Sequence, residues 1–320
     1  MNEREMLARI GELFSPRIGD DAAVVGRQVM TTDMLVEDVD FTRAIPLQYV
    51  ARKSIAVNLS DIAAMGATPR WLLVALALPE WAVAGIEPLL LSLRDAAAAF
   101  AVEIIGGDLS RSEKLVLSVT AIGELEGRAL LRSGARPGDR IFLSRPVGGS
   151  AAGLQLLTRG WTVEGASPQT AGYAHREFAL SAIRRHIDPE PEVELGKMLA
   201  GIDEVTACID VSDGLSTDLH NLCEASGCGA EIERERIPIF PDLLAAGGEL
   251  GIPVQDAVLN GGEELALLFT ARARESELSA RVGRAVYAIG RVTEQRGVIL
   301  KENSTARPLQ RRGWDHFSRG

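Results

Sequence analysis

Ser133-Gly134-Ala135-Arg136-Pro137-Gly138-Asp139 is the stretch that divides the chain. Two glycines and a proline within seven residues concentrate the backbone conformations that turns need and regular elements avoid. A domain boundary belongs there, giving units 1–136 and 137–320. On both sides strand-like and helix-like segments alternate, which favours an α/β or α+β architecture over an all-helical or all-β one. Upstream, the pattern predicts a first helix ending at Phe14, strands over 21–25 and 29–32, and a helix opened by Pro46 and stopped by Gly66, with Ile55, Leu59 and Ile62 on its apolar side. A strand over 71–77, a helix over 86–101 and strands over 102–105 and 115–122 follow, the last two enclosing Gly106-Gly107 as a turn. Downstream the expectations are strands over 140–143, 206–210, 265–270 and 286–292, and helices over 150–158 and 215–225.

The chain has 320 residues, 46% of them hydrophobic and 24% charged, which suits a folded protein with a sizeable core rather than a disordered chain. Asp and Glu number 44 against 34 Lys and Arg, a formal net charge of −10. A protein that neutralises a nucleic-acid backbone carries the opposite sign, so no nucleic-acid partner is expected. The acidic surplus reads either as solvated surface or as carboxylates gathered to hold cations. Residues 71–93 are apolar enough to suggest a membrane span, but Pro79-Glu80 and Glu87-Pro88 break them into pieces too short to cross a bilayer. A strand followed by a helix is the better reading, and no membrane partner is expected. Three cysteines (Cys208, Cys223, Cys228) form neither a disulfide framework nor a C-x-x-C pair, and the N-terminus lacks an apolar signal core. A cytoplasmic protein is the expectation.

P-loop, Rossmann, zincin and nucleophile-elbow signatures are missing. What recurs instead is Asp beside glycine or at a strand end: Gly19-Asp20-Asp21, Thr31-Thr32-Asp33, Asn58-Leu59-Ser60-Asp61, Gly106-Gly107-Asp108 and Asp210-Val211-Ser212-Asp213-Gly214. Asp61 is the only charge between Lys53 and Arg70, and Asn58 precedes it on the same side of the helix. An unpaired carboxylate in that setting is costly, so a cation must neutralise it or it must cap a neighbouring loop. Singly, Asp20-Asp21 reads as a hairpin start, Thr32-Asp33 as a loop cap, and Asp210 or Asp213 as the N-cap of the helix that follows. Five such clusters together match several Mg²⁺ ions bridging phosphates, since Mg²⁺ takes oxygen ligands. Gly148-Gly149-Ser150-Ala151-Ala152-Gly153 opens a helix, where free N–H groups favour phosphate or small residues allow tight packing. Arg132 alone reads as a surface arginine, Gly261-Gly262-Glu263-Glu264 as a pocket rim or solvated loop acids, and the four histidines as surface or structural.

Taken in order, these segments, with Arg132-Ser133-Gly134-Ala135-Arg136-Pro137-Gly138-Asp139 and Gly313-Trp314-Asp315-His316-Phe317, resemble the thiamine-monophosphate kinases. That family shares its architecture with aminoimidazole ribonucleotide synthetase and selenophosphate synthetase. The resemblance implies an N-terminal sheet domain that dimerises, a C-terminal α/β domain, and direct transfer of a phosphoryl group from ATP to thiamine monophosphate. It implies Asp21, Thr31, Thr32, Asp33, Asp61, Asp108, Asp210 and Asp213 as Mg²⁺ ligands, with Asp33, Asp61, Asp108 and Asp210 central to catalysis. Gly107, Asp108, Arg132 and Ser212 are implied as ATP contacts, and Asp40, Glu263 and Trp314 as substrate contacts. Asp40 stands where the family often has a histidine, and Leu265-Ala266-Leu267 replaces a common Tyr-Glu-Leu. A sibling kinase for another small phosphate ester, a phosphohydrolase, or a non-catalytic Mg-nucleotide-binding regulator are the alternatives. Selenophosphate synthetase is disfavoured because no cysteine precedes Cys208.

Overall fold

Leu47 to Ala64 contains neither glycine nor proline and is largely apolar, so it forms an 18-residue helix that is buried along most of its length, with Gln48 in its first turn exposed. Gly66, at φ +70°, ends it: the Gly66 N–H donates to Ala63 O and the Ala67 N–H to Ile62 O, a Schellman closure. This helix organises both halves of the chain. The computed structural model describes residues 3–15, 18–165 and 175–317. Chain order in the first half is α1 (Glu3–Leu13), β1 (Ala23–Val25), β2 (Gln28–Val36), α2 (Leu47–Ala64), β3 (Thr68–Leu78), α3 (Glu80–Val83), α4 (Ile86–Ala99), β4 (Glu103–Arg111) and β5 (Val116–Glu124). The second half runs β6 (Arg140–Leu143), α5 (Gly149–Thr158), α6 (Arg176–Ile187), α7 (Val193–Ala200), β7 (Val205–Asp210), α8 (Leu215–Ser226) and β8 (Gly229–Glu233). It continues through α9 (Leu243–Glu249), α10 (Val254–Asn260), β9 (Leu267–Ala271), α11 (Glu275–Val282), β10 (Tyr287–Thr293), β11 (Gly297–Glu302) and β12 (Thr305–Pro308).

Two sheets result. The first has order β1-β2-β5-β3-β4, antiparallel except for β3 beside β4, the pair joined through α3 and α4. The second has order β12-β11-β8-β10-β6-β9-β7, antiparallel except for β8 beside β11. Helix α2 packs on β2 and β5 of the first sheet and on β7 and α7 of the second half. The expected helix-and-sheet mixture is therefore present in both halves. Residues 71–93 are divided among β3, α3 and α4, and no helix among the described residues is long and apolar enough to cross a membrane. Met1 and Asn2, expected in the first helix, lie outside the described residues.

Gly106-Gly107-Asp108 is not the expected turn. Strand β4 runs straight through it, with a bulge opposite Leu72 and Leu73 that leaves Ile105 as the extra residue. Gly107 has φ +157°, and a Cβ there would stand 1.8 Å from the Val74 carbonyl oxygen. Its glycine answers the approach of two strands. Strand β9 starts at Leu267 rather than Leu265 because Glu263 and Leu265 take positive φ (56° and 46°). Neither Asp210 nor Asp213 caps α8; its N-cap is Gly214, and Asp218 Oδ2 accepts the N–H groups of Asp213 and Gly214 from within the helix.

The two halves touch most closely where α7 meets α2: a Cβ on Gly196 would lie 2.0 Å from Ala63 O. Gly196→Ala is expected to cost about 1–3 kcal/mol through overpacking at this contact. Thermal unfolding should show a lowered midpoint; an unchanged midpoint would mean the halves are not pressed together there.

Candidate active site

Strand alternation selects which side chains of β2 face α2. Thr31 and Asp33 point to the helix, whereas Thr32 pairs across the sheet with Thr120 on the other face, its hydroxyl 3.1 Å from Thr120 Oγ1 and 3.2 Å from Val119 O. The Thr32 side chain is thus separated from the other expected ligands. Thr31 Oγ1 donates to Asp61 Oδ2 at 2.5 Å, and Asn58 Oδ1 accepts the Asp33 N–H at 3.0 Å. Asn58 and Asp61 share a face of α2, as i, i+3 spacing requires. Ser60 donates across the seam between the halves to Asp210 Oδ2, at the end of β7, at 2.5 Å.

Asp21 completes the group from the segment before β1. Asp21, Asp61 and Asp210 each offer a carboxylate oxygen, all within 4.8 Å of one another. Arg132 anchors the Asp20-Asp21 pair: its backbone N–H donates to Asp20 Oδ1 at 2.7 Å and its Nη2 to Asp21 Oδ1 at 2.9 Å. Burial would lower the Arg132 pKa, but the Asp21 charge outweighs it and holds the guanidinium fully protonated. Far from a free surface arginine, Arg132 is committed to the acidic group. Asp21 Oδ2 and Asp210 Oδ1 remain buried without a hydrogen-bond partner. Orphaned, inward-facing carboxylate oxygens with an all-oxygen donor set fit a hard divalent cation of the Mg²⁺ class.

The same crowding governs protonation. Burial, then the charges of Asp33, Asp210 and Asp21, push Asp61 well above the usual carboxylate range against the Thr31 hydrogen bond. Burial and Asp21 push Asp210 up to about 8. Burial and Asp40 raise Asp33, with His316 opposing. Asp108 lies apart, on the exposed strand β4, with no hydrogen bond or ion pair to the group. Asp213 lies in the turn between β7 and α8, its carbonyl accepting the Trp314 N–H at 3.0 Å.

A second polar cluster borders the first. Asp40 accepts the Val36 N–H at 2.7 Å; burial raises its pKa, and the charges of His316, Glu263 and Lys53 all act on it. Glu263 Oε1 is 2.6 Å from Lys53 Nζ and Oε2 is 3.3 Å from His186 Nδ1. Burial would raise Glu263, yet the Lys53 charge beside it holds it below the usual range. His186, expected as surface or structural, is buried and lowered to about 3, chiefly by desolvation and then by Lys53, so it is neutral. Trp314 is half exposed, its ring 5.6 Å from the His316 ring and perpendicular to it. Ser212 is exposed, its carbonyl accepting the Glu263 N–H at 2.7 Å. The Gly148-Gly149-Ser150 helix start holds no open phosphate site: Glu264, fully buried, accepts the Gly148 and Ser150 N–H groups at 2.8 and 2.9 Å. Glu264 is therefore not a solvated loop acid.

The sequence assigns no role to Lys53 or Asp218, and does not reveal the partners of His186 and Glu264. For Lys53 a signal exists, a cation beside Arg52 in a largely apolar helix, eight residues before that helix's one Asp. For the others only tertiary packing reveals the partner.

Stability should follow the raised carboxylates. The folded chain keeps the Asp210 proton up to about pH 8, whereas an exposed Asp loses it near 4, so above the titration of unfolded histidine the unfolded state binds fewer protons and stability falls as pH rises. In the presence of chelator, the thermal midpoint should drop between about pH 6.5 and 8, with Asp210 contributing on the order of 1 kcal/mol per pH unit. Asp210→Asn should flatten that slope; a slope unaltered by the substitution contradicts the shift.

Comparison with known proteins fits this geometry. Residues 19–125 match the family model "AIR synthase related protein, N-terminal domain", and residues 136–302 match "AIR synthase related protein, C-terminal domain". Thiamine-monophosphate kinase of Bacillus subtilis (strain 168) is 37% identical, covering 94% of this chain and 93% of its own length. That of Escherichia coli (strain K12) is 36% identical, covering 94% and 91%. The solved structure "AaThiL complexed with AMPPCP and TMP" superposes with a TM-score of 0.85 at 33% identity, over 99% of this chain and 97% of that one. With the carboxylates of both halves converging beside Glu263 and Trp314, and relatives matched end to end, the chain belongs to the thiamine-monophosphate kinase family.

Proposed function

We propose that the protein transfers the γ-phosphoryl group of ATP to thiamine monophosphate, giving thiamine diphosphate and ADP without a phosphoenzyme. The observation that carries this reading is the full-length likeness to a relative solved with AMPPCP and TMP. An oxygen of the acceptor phosphate forms the new bond to the γ-phosphorus while the bond to the β,γ-bridging oxygen breaks, and ADP leaves with that electron pair. No strong base is needed, because the acceptor already carries anionic oxygens. The barrier lies in bringing two phosphate groups together, so positioning and charge neutralisation dominate.

Asp21, Asp61 and Asp210 are assigned to hold Mg²⁺, with Asp33, Asp108, Asp213 and Thr31 as further ligands and Thr32 only through its main chain. When bound, Mg²⁺ neutralises the phosphate charge that these carboxylates would otherwise repel. Arg132, Ser212 and the Gly107-Asp108 backbone are assigned to ATP. Asp40, Glu263 and Trp314 are assigned to the acceptor; the exposed indole face suits a cationic thiazolium ring. The functional units are taken as 1–136 and 137–320, in the cytoplasm, where buried free thiols persist.

A second copy of the chain is proposed to cover β4. Every residue of that edge strand is exposed, and Ile105 and Leu109 are 52% and 69% exposed. An edge strand with free backbone groups and apolar side chains invites pairing. Sedimentation should report a dimer, and Leu109→Lys should shift it toward monomer; a monomeric parent protein removes this assignment.

Purified protein with Mg·ATP and thiamine monophosphate should form thiamine diphosphate. ADP release that ignores thiamine monophosphate would instead mark a hydrolase. Asp61→Asn should lower turnover by roughly 10²-fold or more with unchanged circular dichroism, since it removes a charge that holds the metal. Near-normal turnover would refute the assignment.

A further inference from the structure

Lys53 is 2% exposed, on a helix buried along most of its length. Its ammonium lies 2.6 Å from Glu263 Oε1 but has no aligned hydrogen-bond acceptor, so the contact is an ion pair. Glu263 comes from the turn between α10 and β9, in the other half of the chain. Its second oxygen faces His186 on α6, whose Nδ1 is also 3.1 Å from Ser150 Oγ on α5. Of these four side chains only Glu263 is appreciably open, at 31%. Its backbone has a positive φ of 56°, a conformation a non-glycine residue keeps only where its surroundings impose it.

A buried ion pair is a weak device for stability, since apolar replacements often serve as well. What this pair does supply is direction. With Lys53 on one oxygen and His186 on the other, the Glu263 carboxylate cannot turn freely to solvent. Lys53 and Asp61 are eight residues apart on α2 and share a face, about 12 Å along the axis. One rigid rod therefore places the carboxylate group at one end and the Glu263 contact at the other.

We propose that Lys53 is a positioning residue that acts through Glu263: its ion pair across the seam between the halves fixes the carboxylate toward the acceptor substrate. This rests on the phosphoryl-transfer reading above. Removing the ammonium frees Glu263 to turn toward water, which weakens acceptor binding and leaves the nucleotide side of α2 in place.

The test is a double-mutant cycle on the full chain with Mg·ATP and thiamine monophosphate. Lys53→Met should raise KM for thiamine monophosphate about tenfold, with kcat and KM for ATP within about threefold of the parent. In a Glu263→Gln background the same substitution should change that KM by less than about twofold, because the residue it acts through is already altered. Lys53→Arg keeps the buried charge and should raise KM only about threefold, a shift that must also vanish with Glu263→Gln; it carries the cycle if Lys53→Met fails to fold. Independent, multiplying effects of the two substitutions would show that Lys53 contacts the acceptor itself and would overturn the proposal. Equal losses for ATP and thiamine monophosphate, with a lowered thermal midpoint, would overturn it in favour of a purely structural role. A parent protein that turns over normally beside either result faults only the role of Lys53. A parent with no turnover dependent on thiamine monophosphate faults the underlying reading as well.

Discussion

Three carboxylates from distant parts of the chain, Asp21, Asp61 and Asp210, bring oxygens within 4.8 Å of one another in a buried place. Like charges so close and so poorly hydrated repel strongly, and only protons, cations or hydrogen bonds relieve them. Arg132 satisfies one oxygen of Asp21, Thr31 one of Asp61 and Ser60 one of Asp210, and of the other three oxygens those of Asp21 and Asp210 stay buried without a hydrogen-bond partner. The rest of the fold is arranged around that unsatisfied charge. Helix α2 is buried along most of its length, where it presents Asn58, Ser60 and Asp61 to residues from both halves. Close contacts such as Gly196 on Ala63 hold those halves at the separation the carboxylates need.

Much of this was legible in the chain. Strand and helix periods gave the alternating architecture, and Asp residues next to glycines or at strand ends marked the acidic group. A lone Asp in an apolar helix signalled an obligatory partner, since such a charge cannot stay uncompensated. Which partner it was did not follow, because Thr31, which donates to it, lies 30 residues away on β2. Local reading failed where a single residue type serves two purposes. Gly106-Gly107 looks like a turn, but Gly107 is there because β4 passes too close to Val74 for any side chain. The glycine-rich start of α5 looks like a phosphate cradle, but Glu264 occupies its N–H groups. Thr31 and Thr32 are equivalent as letters; the two-residue period of β2 sends one to the carboxylates and the other to Thr120.

Polar residues buried around the site extend it from cation to substrate. Asp33 and Asp40 carry the acidic lining from Asp61 toward Lys53, Glu263 and His316, whose ring neighbours Trp314. A phosphate ester with a cationic ring would find cation-held oxygens at one end and an open carboxylate and indole at the other. That order, more than any single residue, suits a small phosphorylated cation as acceptor.

The central claim is that Asp61 and Asp210 are protonated when alone and exchange their protons for a divalent cation. Titration calorimetry of Mg²⁺ with a non-hydrolysable ATP analogue at pH 7, repeated in buffers of different ionisation enthalpy, counts the protons displaced. The account predicts net proton release on binding, reduced by Asp210→Asn. Tight binding with no proton release in any buffer would contradict it.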